Sequence, residues 1–391
     1  MKNKKIGLMV FPLRSPEWQY FVDQILSFIT TEDTETIVMT GNYFPKSLPK
    51  NATVFNINVP QVLSNHESVF SKLLRFSRTQ YYMSSLVIKK RNYFDAIVLH
   101  LGAPYLTSPV LLSYLMRKKI VVVIVGSDSQ SLKLMYPGIS GTIYCRIVHC
   151  LEVMTYSMAK NIIVTSGSMI SPFGLQRYKH KVISSVGNSP FGGTNAFIDT
   201  AKFNITVNWK EREDIIGFIG RLSTEKGITE LVEAIPQIVK VKNNARFLIV
   251  GRGPLLDDLI RKLNASGCLD KVTFMGAVPH ENIPQILNKM KFLIVPSYTE
   301  VVAATALEAM ASGTICLATA VGATQDIIAE GQTGFILSNN KPETITRKIV
   351  EVWGNPELVK IQLNARKFIE DNFSQQQVLN RWNIIMNKVM K

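Results

Sequence analysis

The sequence predicts an α/β fold in two doubly wound domains, and three features support this prediction. Short apolar runs of strand length alternate with segments of helical pattern, as in parallel sheets that are covered by helices. Several of these runs end in glycine, where a strand is expected to turn towards a helix. The 391 residues are enough for two domains of about 150–200 residues, each with its own core.

The composition is typical of a globular protein. Hydrophobic residues make up 46% of the chain and charged residues 19%, which excludes a disordered chain. No apolar run reaches the roughly 18 residues that indicate a membrane span, and residues 120–125 are interpreted as a buried parallel strand. Residues 1–12 have a basic start and only a brief apolar run, so they are interpreted as the first strand and not as a signal peptide.

The cysteines favour a cytoplasmic location. They are scattered without the spacing of metal ligands, which is typical of buried thiols in a reducing compartment. The four are Cys145, Cys150, Cys268 and Cys316. We therefore expect a cytoplasmic protein, peripheral on the inner face of the membrane if its basic surface binds lipid.

The net charge of +15 is concentrated in the first half of the chain. Residues 1–205 contain 22 Lys and Arg against 10 Asp and Glu, whereas residues 206–391 contain 22 against 19. This asymmetry predicts an anionic surface or acceptor as a partner, and the alternative is a solvated basic face without one. Nucleic acid is not expected, because no helix-turn-helix, zinc-finger or aromatic RNA-binding motif accompanies the charge.

The stretch 70–91 has six basic residues and no acidic one. Its apolar side chains fall near one helical face, with basic side chains largely to the side of it. The apolar residues are Phe70, Leu73, Leu74 and Tyr81, and the nearby basic residues are Lys72, Arg75 and Arg78. Such a helix either lies in an anionic membrane interface or packs its apolar stripe on the sheet as a core helix, and the sequence leaves both interpretations open.

Two strand ends in the first half carry polar side chains. A predicted strand over residues 94–100 ends in His100. The next predicted strand, residues 120–125, is followed by Asp128. Ligands of open α/β sheets bind beyond the carboxyl ends of the strands. His100 and Asp128 are therefore candidates for binding an acceptor, although Asp128 could equally cap a helix.

The second half repeats the order strand, glycine turn and helix. Residues 215–219 are interpreted as a buried strand, followed by Gly220, Arg221 and Lys226 before a helix at about 228–241. Arginine forks onto phosphate oxygens and lysine adds a compact positive charge, so this turn is suited to an anion. Further strand patterns cover residues 247–250, 272–276 and 291–296, the first of them followed by Gly251 and Gly253.

Residues 296–313 place two carboxylates where a strand meets the N-terminus of an Ala-rich helix. Glu300 lies in the turn and Glu308 in the helix pattern. If residues 300–308 were wholly helical, the two would be about 12 Å apart at about 1.5 Å per residue. This distance is similar to the one between the ribose of a nucleotide and a sugar on its diphosphate. The alternative is that both glutamates only complement the helix dipole.

The strands, glycine turns and helix patterns described above follow one another over about residues 215–336, with Gly322 and Gly334 further on. In this order they closely resemble the C-terminal domain of family-four glycosyltransferases of the retaining GT-B type. The resemblance implies two Rossmann-like domains that face a central cleft, and transfer of a sugar from a nucleotide diphosphate sugar with retained configuration. It also implies that no metal and no cofactor are needed, in agreement with the absence of an Asp-x-Asp pair from the sequence.

The resemblance assigns roles to individual residues. Arg221, Lys226 and Glu300 are implied to be catalytic: the two cations stabilise the departing diphosphate and Glu300 holds hydroxyls of the sugar. Glu308 is implied to hold the ribose, and backbone near 275–278 to meet the base. The donor-binding residues implied in this way are Gly220, Gly251, Gly253, Met275, Val278, Val301, Val302, Ala303, Ala304 and Glu308.

Three departures from the family affect the expected sites. Relatives often carry paired glycines after the first strand, where this chain has residues 13–16, and Ser15 within them is a third candidate on the acceptor side. A histidine common in relatives is Val125 here. Val301 and Val302 replace a glycine-containing turn, and β-branched residues make positive φ costly. The sugar pocket is therefore expected to differ in shape.

The sequence thus predicts a retaining, metal-independent glycosyltransferase with a glycan or lipid-linked acceptor, in synthesis of cell-surface polysaccharide or glycoconjugate. The alternative is a GT-B protein that binds nucleotide sugars or supports a partner subunit without catalysis. Expected domains are an acceptor-binding domain at 1–200, a donor-binding domain at 201–368, and a helix at 369–391 that packs on the first domain, as in GT-B relatives.

Overall fold

The structure of the chain is a computed structural model and describes residues 4–13, 19–59, 69–124 and 138–391. The chain divides into two compact units, one of Met1–Asn195 with Val378–Lys391 and the other of Ala196–Gln377. Each unit is a parallel sheet with helices, so the predicted α/β class is confirmed.

The described part of the first unit contains a seven-stranded sheet with the order β3-β2-β1-β4-β5-β6-β7, and all neighbouring strands are parallel. The strands are β1 Lys4–Val10, β2 Thr34–Thr40, β3 Ala52–Asn56, β4 Ala96–His100, β5 Lys119–Val123, β6 Asn161–Ile163 and β7 Val182–Ile183. Strands β1 and β4 are almost wholly buried, as expected when helices cover both faces of a parallel sheet. The strand order reverses between them, where Val10 pairs with His100.

The helices of the first unit include three that are neighbours in space. The three are α2 Val69–Lys90, α3 Thr107–Leu115 and α4 Ile139–Met158, and α1 Gln19–Ile29 precedes them in the chain. Helix α2 packs on α3, and α3 packs on α4. Gln80 of α2 fixes the start of α3, because its Oε1 accepts hydrogen bonds from the Ser108 backbone N–H at 3.0 Å and the Thr107 hydroxyl at 3.1 Å. Within the described residues, no helix is both long and apolar enough to span a membrane.

The second unit contains a six-stranded parallel sheet with the order β10-β9-β8-β11-β12-β13. The strands are β8 Ile215–Ile219, β9 Arg246–Val250, β10 Val272–Gly276, β11 Phe292–Val295, β12 Ile315–Thr319 and β13 Phe335–Leu337. The order reverses between β8 and β11. In doubly wound sheets ligands bind at such a switch point, beyond the carboxyl ends of the strands. This reversal positions the candidate site of the second unit.

Helices of the second unit pack against this sheet, and some of them enclose a hydrophobic core with alternate residues of its strands. The helices are α5 Ile228–Val241, α6 Leu256–Ala265, α7 Ile283–Lys289, α8 Ala304–Ala311, α9 Thr324–Ile327, α10 Pro342–Trp353 and α11 Leu358–Phe373. Helix α5 has the predicted bounds and buries Ile228, Leu231, Ile235 and Ile238 on one stripe, a spacing typical of a helix that covers a sheet. The strand predictions for this half are likewise confirmed to within a residue at each end.

The last helix, α12 Gln375–Met390, contacts the first unit through its buried face. Trp382 is fully buried, its ring stacks on Phe28 at a centroid distance of 6.3 Å, and its Nε1–H donates to the Thr194 carbonyl at 2.9 Å. A buried tryptophan with a satisfied N–H is typical of a fixed packing contact. The helix therefore belongs to the fold of the first unit although it ends the chain.

The unit boundaries differ from the domain bounds expected at 200 and 368. Helix α11 continues through residue 368 to Phe373. The segment after Asn195 joins the second unit earlier than expected, because the Ile198 N–H donates to the Phe373 carbonyl at 2.8 Å and Ile198 forms a bridge with Ser374.

Candidate active site

A cavity of about 160 Å³ lies at the switch point between β8 and β11 in the second unit. Its walls come from the carboxyl ends of both strands, the loops that follow them and the first turn of α8. The lining residues are Phe218, Ile219, Gly220, Lys226, Ile294, Val295, Ser297, Glu300, Val302, Ala303, Ala304 and Thr305. Six of the predicted site residues thus line one cavity: Gly220, Lys226, Glu300, Val302, Ala303 and Ala304.

Lys226 and Glu300 form an ion pair at this cavity. Lys226 Nζ lies 2.6 Å from Glu300 Oε1, and the Ser297 hydroxyl donates to the same oxygen at 2.9 Å. The Glu300 side chain is only 13% exposed and that of Lys226 is 31% exposed. Charge-assisted bonds of this length are the stronger ones in proteins. Both charged groups of the pair therefore line the same small cavity.

The two loops that carry this pair are tied together by a tyrosine. The Tyr298 backbone N–H donates to the Glu225 carbonyl at 2.9 Å, and its hydroxyl donates to a Glu230 carboxylate oxygen at 2.5 Å. The hydrogen bond to Glu230 is the main cause that raises the pKa of Tyr298 to about 12. The loop after β11 is therefore fixed to the loop after β8 and to the start of α5.

Two glycines permit the close approach of backbone on which the site depends. Gly227 has φ +67°, and a Cβ there would lie 2.0 Å from the Pro296 carbonyl oxygen. Gly251 has φ +138°, and a Cβ there would lie 1.8 Å from the Gly220 carbonyl oxygen. No L side chain fits either position without moving the backbone. The glycine turns noted in the sequence therefore bring β8, β9 and β11 together at their carboxyl ends.

Helix α8 presents its N-terminus to the cavity. It begins at Ala304 and its N-cap residue is Ala303, which makes no side-chain capping bond. The first N–H groups of a helix have no partner within the helix and carry a partial positive charge, so an anion is stabilised there. Because α8 begins at Ala304, Glu300 lies in the turn and Glu308 in the helix, as predicted. The distance given for a wholly helical 300–308 segment does not apply, since residues 300–303 form the loop that brings Glu300 to Lys226.

The Val301-Val302 departure is accommodated without positive φ. Among the described residues other than glycine, only Asn42, Leu101 and Arg117 have positive φ. The loop is instead packed against Gly322, where a Cβ would lie 2.1 Å from the Glu300 carbonyl oxygen. The strain expected of β-branched residues in this turn is therefore absent.

Glu308 lies on α8 one turn after Ala304, and its carboxylate is engaged. Residues four apart share one face of a helix, so Glu308 continues the face that lines the cavity. Its Oε1 lies 2.8 Å from His280 Nε2, in the turn that follows β10. This hydrogen bond is the largest cause that raises the pKa of His280 above its usual range. Sequence reasoning missed His280, although a polar side chain just beyond a strand's carboxyl end was the signal that singled out His100.

The remaining predicted donor residues lie outside the cavity lining. Arg221 is solvent-exposed in the turn after β8, one residue beyond the lining residue Gly220. Met275 is 43% exposed and Val278 is half-buried. Gly251, Gly253 and Val301 contribute backbone around the cavity without lining it. Their roles toward a donor stay predictions.

The acceptor-side candidates are only partly described. His100 lies at the carboxyl end of β4 as predicted, but it is fully buried, and its Nε2 lies 2.9 Å from Asn195 Nδ2. Burial lowers the pKa of His100 to about 3, so the ring is neutral at ordinary pH. Ser15 and Asp128 lie outside the described residues.

Among the side chains that the structure describes, no group of three or more His, Cys, Asp or Glu could hold a metal ion.

The segment that carries the cavity matches a family of known proteins. Residues 199–368 match the family model described as Glycosyl transferases group 1. This segment is therefore similar to group 1 glycosyltransferases. An uncharacterized glycosyltransferase of Methanocaldococcus jannaschii is 28% identical over 248 residues, which cover 59% of this chain and 60% of that protein. The chain spans about half the length of the curated relatives it matches.

Solved structures extend the likeness to the whole chain. A glycosyltransferase from Rickettsia africae matches over 100% of both chains with a TM-score of 0.69 and 20% identity. The Anabaena protein HepE, solved in complex with UDP and glucose, matches over 99% of both chains with a TM-score of 0.69 and 15% identity. At these identities the likeness shows the fold. The prediction of two Rossmann-like domains is confirmed.

Proposed function

We propose that the protein is a retaining, metal-independent glycosyltransferase that moves a sugar from a nucleotide diphosphate sugar to a glycan or lipid-linked acceptor. The observation that carries the proposal is the Lys226–Glu300 pair at the N-terminus of α8, inside a cavity of the segment that matches the group 1 family model. A cation, a carboxylate and unpaired helix N–H groups are the groups that a sugar diphosphate requires.

The leaving group sets the main chemical demand. When the bond between sugar and phosphate breaks, negative charge grows on the nucleoside diphosphate. Lys226 is placed to meet this charge together with the N-terminus of α8, and Arg221 lies five residues before Lys226 in the same turn. Fixed charges aimed at developing charge are a large source of rate enhancement.

Glu300 is suited to hold the sugar. Its Oε1 is occupied by Lys226 and Ser297, and a carboxylate has lone pairs on both oxygens. Its second oxygen therefore serves to accept hydrogen bonds from sugar hydroxyls. Retention is proposed to follow from attack on the same face as the departing phosphate, which takes the acceptor's proton. No enzymic nucleophile is then required.

Turnover distinguishes this proposal from a catalytically inactive nucleotide-sugar-binding protein. The purified protein is incubated with UDP-, GDP-, ADP- and TDP-sugars, and release of the nucleoside diphosphate is followed with and without glycan acceptors. We expect slow hydrolysis of one donor even without acceptor. UDP-glucose is the first donor to test, because HepE was solved with UDP and glucose. Tight binding without any release supports the binding protein, and neither binding nor release contradicts both.

Calorimetry tests the division of roles between the two glutamates. Glu308→Ala should weaken both the free diphosphate and the donor about tenfold, as expected when a hydrogen bond to a charged group is lost. Glu300→Ala should weaken the sugar-bearing donor and spare the free diphosphate, because Glu300 is assigned to the sugar. Glu343→Ala, at an exposed glutamate of α10, is the control. Equal losses for both glutamate variants would contradict the division.

A chelator tests the metal-independent part of the proposal. Lys226, Arg221 and the N-terminus of α8 are proposed to meet the phosphate charge that a divalent ion meets in metal-dependent enzymes. Excess EDTA should therefore leave the rate of diphosphate release unchanged. A metal-dependent glycosyltransferase assayed in the same buffer is the control. Complete loss of activity that magnesium restores would contradict this part.

The acceptor is proposed to lie at an anionic membrane surface, such as the inner face of a cell membrane. Three neighbouring helices of the first unit, α2, α3 and α4, expose large hydrophobic side chains, and α2 and α4 also expose basic ones. The exposed hydrophobic residues are Leu74, Tyr81, Tyr82 and Ile88 of α2, Leu111, Tyr114 and Leu115 of α3, and Ile143, Tyr144 and Ile147 of α4. We name these ten residues, together with the exposed Arg78 and Lys89 of α2 and Arg146 of α4, the apolar–basic surface. Clustered exposed apolar side chains mark interaction sites more often than ordinary surface.

The periodicity of α2 supports a lipid partner. Leu74, Tyr81 and Ile88 are seven residues apart and therefore form one stripe, whereas Met83 and Val87 are fully buried on another face. The helix thus packs on its own unit and still presents a second apolar stripe to solvent. With no acidic residue in 70–91, this pattern is typical of helices that lie in an anionic interface.

A further inference from the structure

His280 lies between the ribose side of the proposed site and the first segment of the second unit. It opens the short turn His280–Asn282 after β10, and its Nε2 lies 2.8 Å from Glu308 Oε1. The His280 side chain is 57% exposed, whereas that of Glu308 is only 11% exposed. An exposed imidazole thus reaches a carboxylate that is almost enclosed by the domain.

The ring of His280 is held from its other side by Phe203. The two ring centroids are 5.4 Å apart and the rings are tilted by 49°. Phe203 is itself 2% exposed. Arg366 of α11 donates from Nη1 to the Phe203 carbonyl, from Nη2 to the Thr200 carbonyl at 2.8 Å, and from Nη1 to the Ala311 carbonyl at 2.9 Å. Because Ala311 ends α8, one arginine fixes both the partner of the histidine ring and the helix that carries Glu308.

We propose that His280 is a positioning residue that orients the Glu308 carboxylate for the ribose of the donor. The proposal rests on the function proposed above. A carboxylate accepts through two oxygens, and His280 engages Oε1. Among the contacts of the described residues, no hydrogen bond to Glu308 Oε2 occurs, so this oxygen is left to accept from ribose hydroxyls. A side chain that is already in its binding rotamer loses less entropy when the ligand arrives.

The charges around His280 give the orientation a pH dependence. Glu308 and Glu281 favour the protonated ring, and Lys202 opposes it. The net effect raises the pKa of His280, with the Glu308 hydrogen bond as the largest cause. A protonated imidazole donates a charge-assisted bond, which is stronger than a neutral one. Binding of the diphosphate should therefore strengthen as the pH falls through the raised pKa.

Calorimetric titration with UDP, GDP, ADP and TDP between pH 5.5 and 8 tests the proposal. For the diphosphate that binds, His280→Ala should weaken binding about tenfold, the equivalent of one hydrogen bond to a charged group. His280→Gln keeps an N–H donor and should recover most of the affinity without the pH dependence. The ratio of wild-type to His280→Gln affinity should rise as the pH falls. The diphosphate's own titration cancels in that ratio.

A matched pair elsewhere in the chain provides the control. His149 and Glu152 of α4 lie 3.6 Å apart, with side chains 61% and 5% exposed, and His149→Ala should leave diphosphate binding unchanged. In a Glu308→Ala background, His280→Ala should cost nothing further, because the two residues act as one unit. An equal cost of His280→Ala with and without Glu308, or no cost at all, would overturn the positioning role. If wild-type protein binds none of the four diphosphates, the proposed function itself fails, and the inference that depends on it fails too.

Discussion

Replacing Lys226 with alanine should lower turnover by about two to three orders of magnitude, the effect of removing one fixed donor from a developing negative charge. Lys226 is the cation that lines the cavity beside the N-terminus of α8. The same substitution leaves Glu300, which is 13% exposed, without its cation. Arg221→Ala should lower turnover by a similar factor if the exposed guanidinium closes on the diphosphate. Single-turnover kinetics at saturating donor measures the chemical step directly.

A second lysine–glutamate pair makes the control for this prediction. Lys262 of α6 pairs with Glu233 of α5 in the same unit, and both side chains are more than a third exposed. Lys262→Ala removes an equal charge without touching the cavity and should leave turnover unchanged. Thermal unfolding of each variant shows whether the fold is intact. Unchanged turnover in a folded Arg221→Ala, Lys226→Ala double variant would exclude both residues from catalysis.

Strands β8, β9, β10 and β11 of the second unit were predictable from sequence because each is a short, largely apolar run that ends at a glycine or a proline. What the sequence did not contain was the order of the strands. Lys226 and Glu300 are 74 residues apart, and they meet only because β8 and β11 are neighbours at the switch point. The resemblance to known glycosyltransferases located both residues, but the ion pair between them follows from the sheet order.

Sequence reasoning missed features that depend on the course of the backbone and on tertiary packing. The Ala-rich pattern after Glu300 indicated the helix α8, but alanine propensity does not report how residues 300–303 turn to bring Glu300 to Lys226. The His280–Glu308 contact joins residues 28 apart through the turn after β10. His100 was correctly placed at a strand end, yet its burial depends on Asn195, 95 residues away. Contacts of this kind are fixed by tertiary packing and carry no local signature.

The full chain should float with acidic vesicles at low salt and fall away from them at high salt. The apolar–basic surface motivates this expectation, together with the excess of Lys and Arg in residues 1–205. Each basic residue near an anionic membrane contributes about 1 kcal/mol, and salt weakens the attraction because such fields decay over about 8 Å at physiological ionic strength. Vesicles of neutral lipid alone should bind far less protein.

Charge reversal at Arg78, Lys89 and Arg91 should abolish flotation without unfolding the protein. These three side chains are exposed, whereas Lys90 is left unchanged because its Nζ packs over the Phe55 ring at 4.1 Å. The matched control reverses three exposed basic residues of the second unit and changes the net charge equally. The control positions are Lys210, Lys240 and Arg347.

A second variant separates the apolar contribution from the charge. Tyr81→Ser with Ile88→Ser keeps every charge of α2 and removes two exposed members of its apolar stripe. Burial of apolar area in the interface adds to electrostatic attraction, so this variant should bind more weakly and respond more steeply to salt. If the unaltered protein ignores acidic vesicles even at low salt, the exposed stripe has another partner and the acceptor is a soluble glycan.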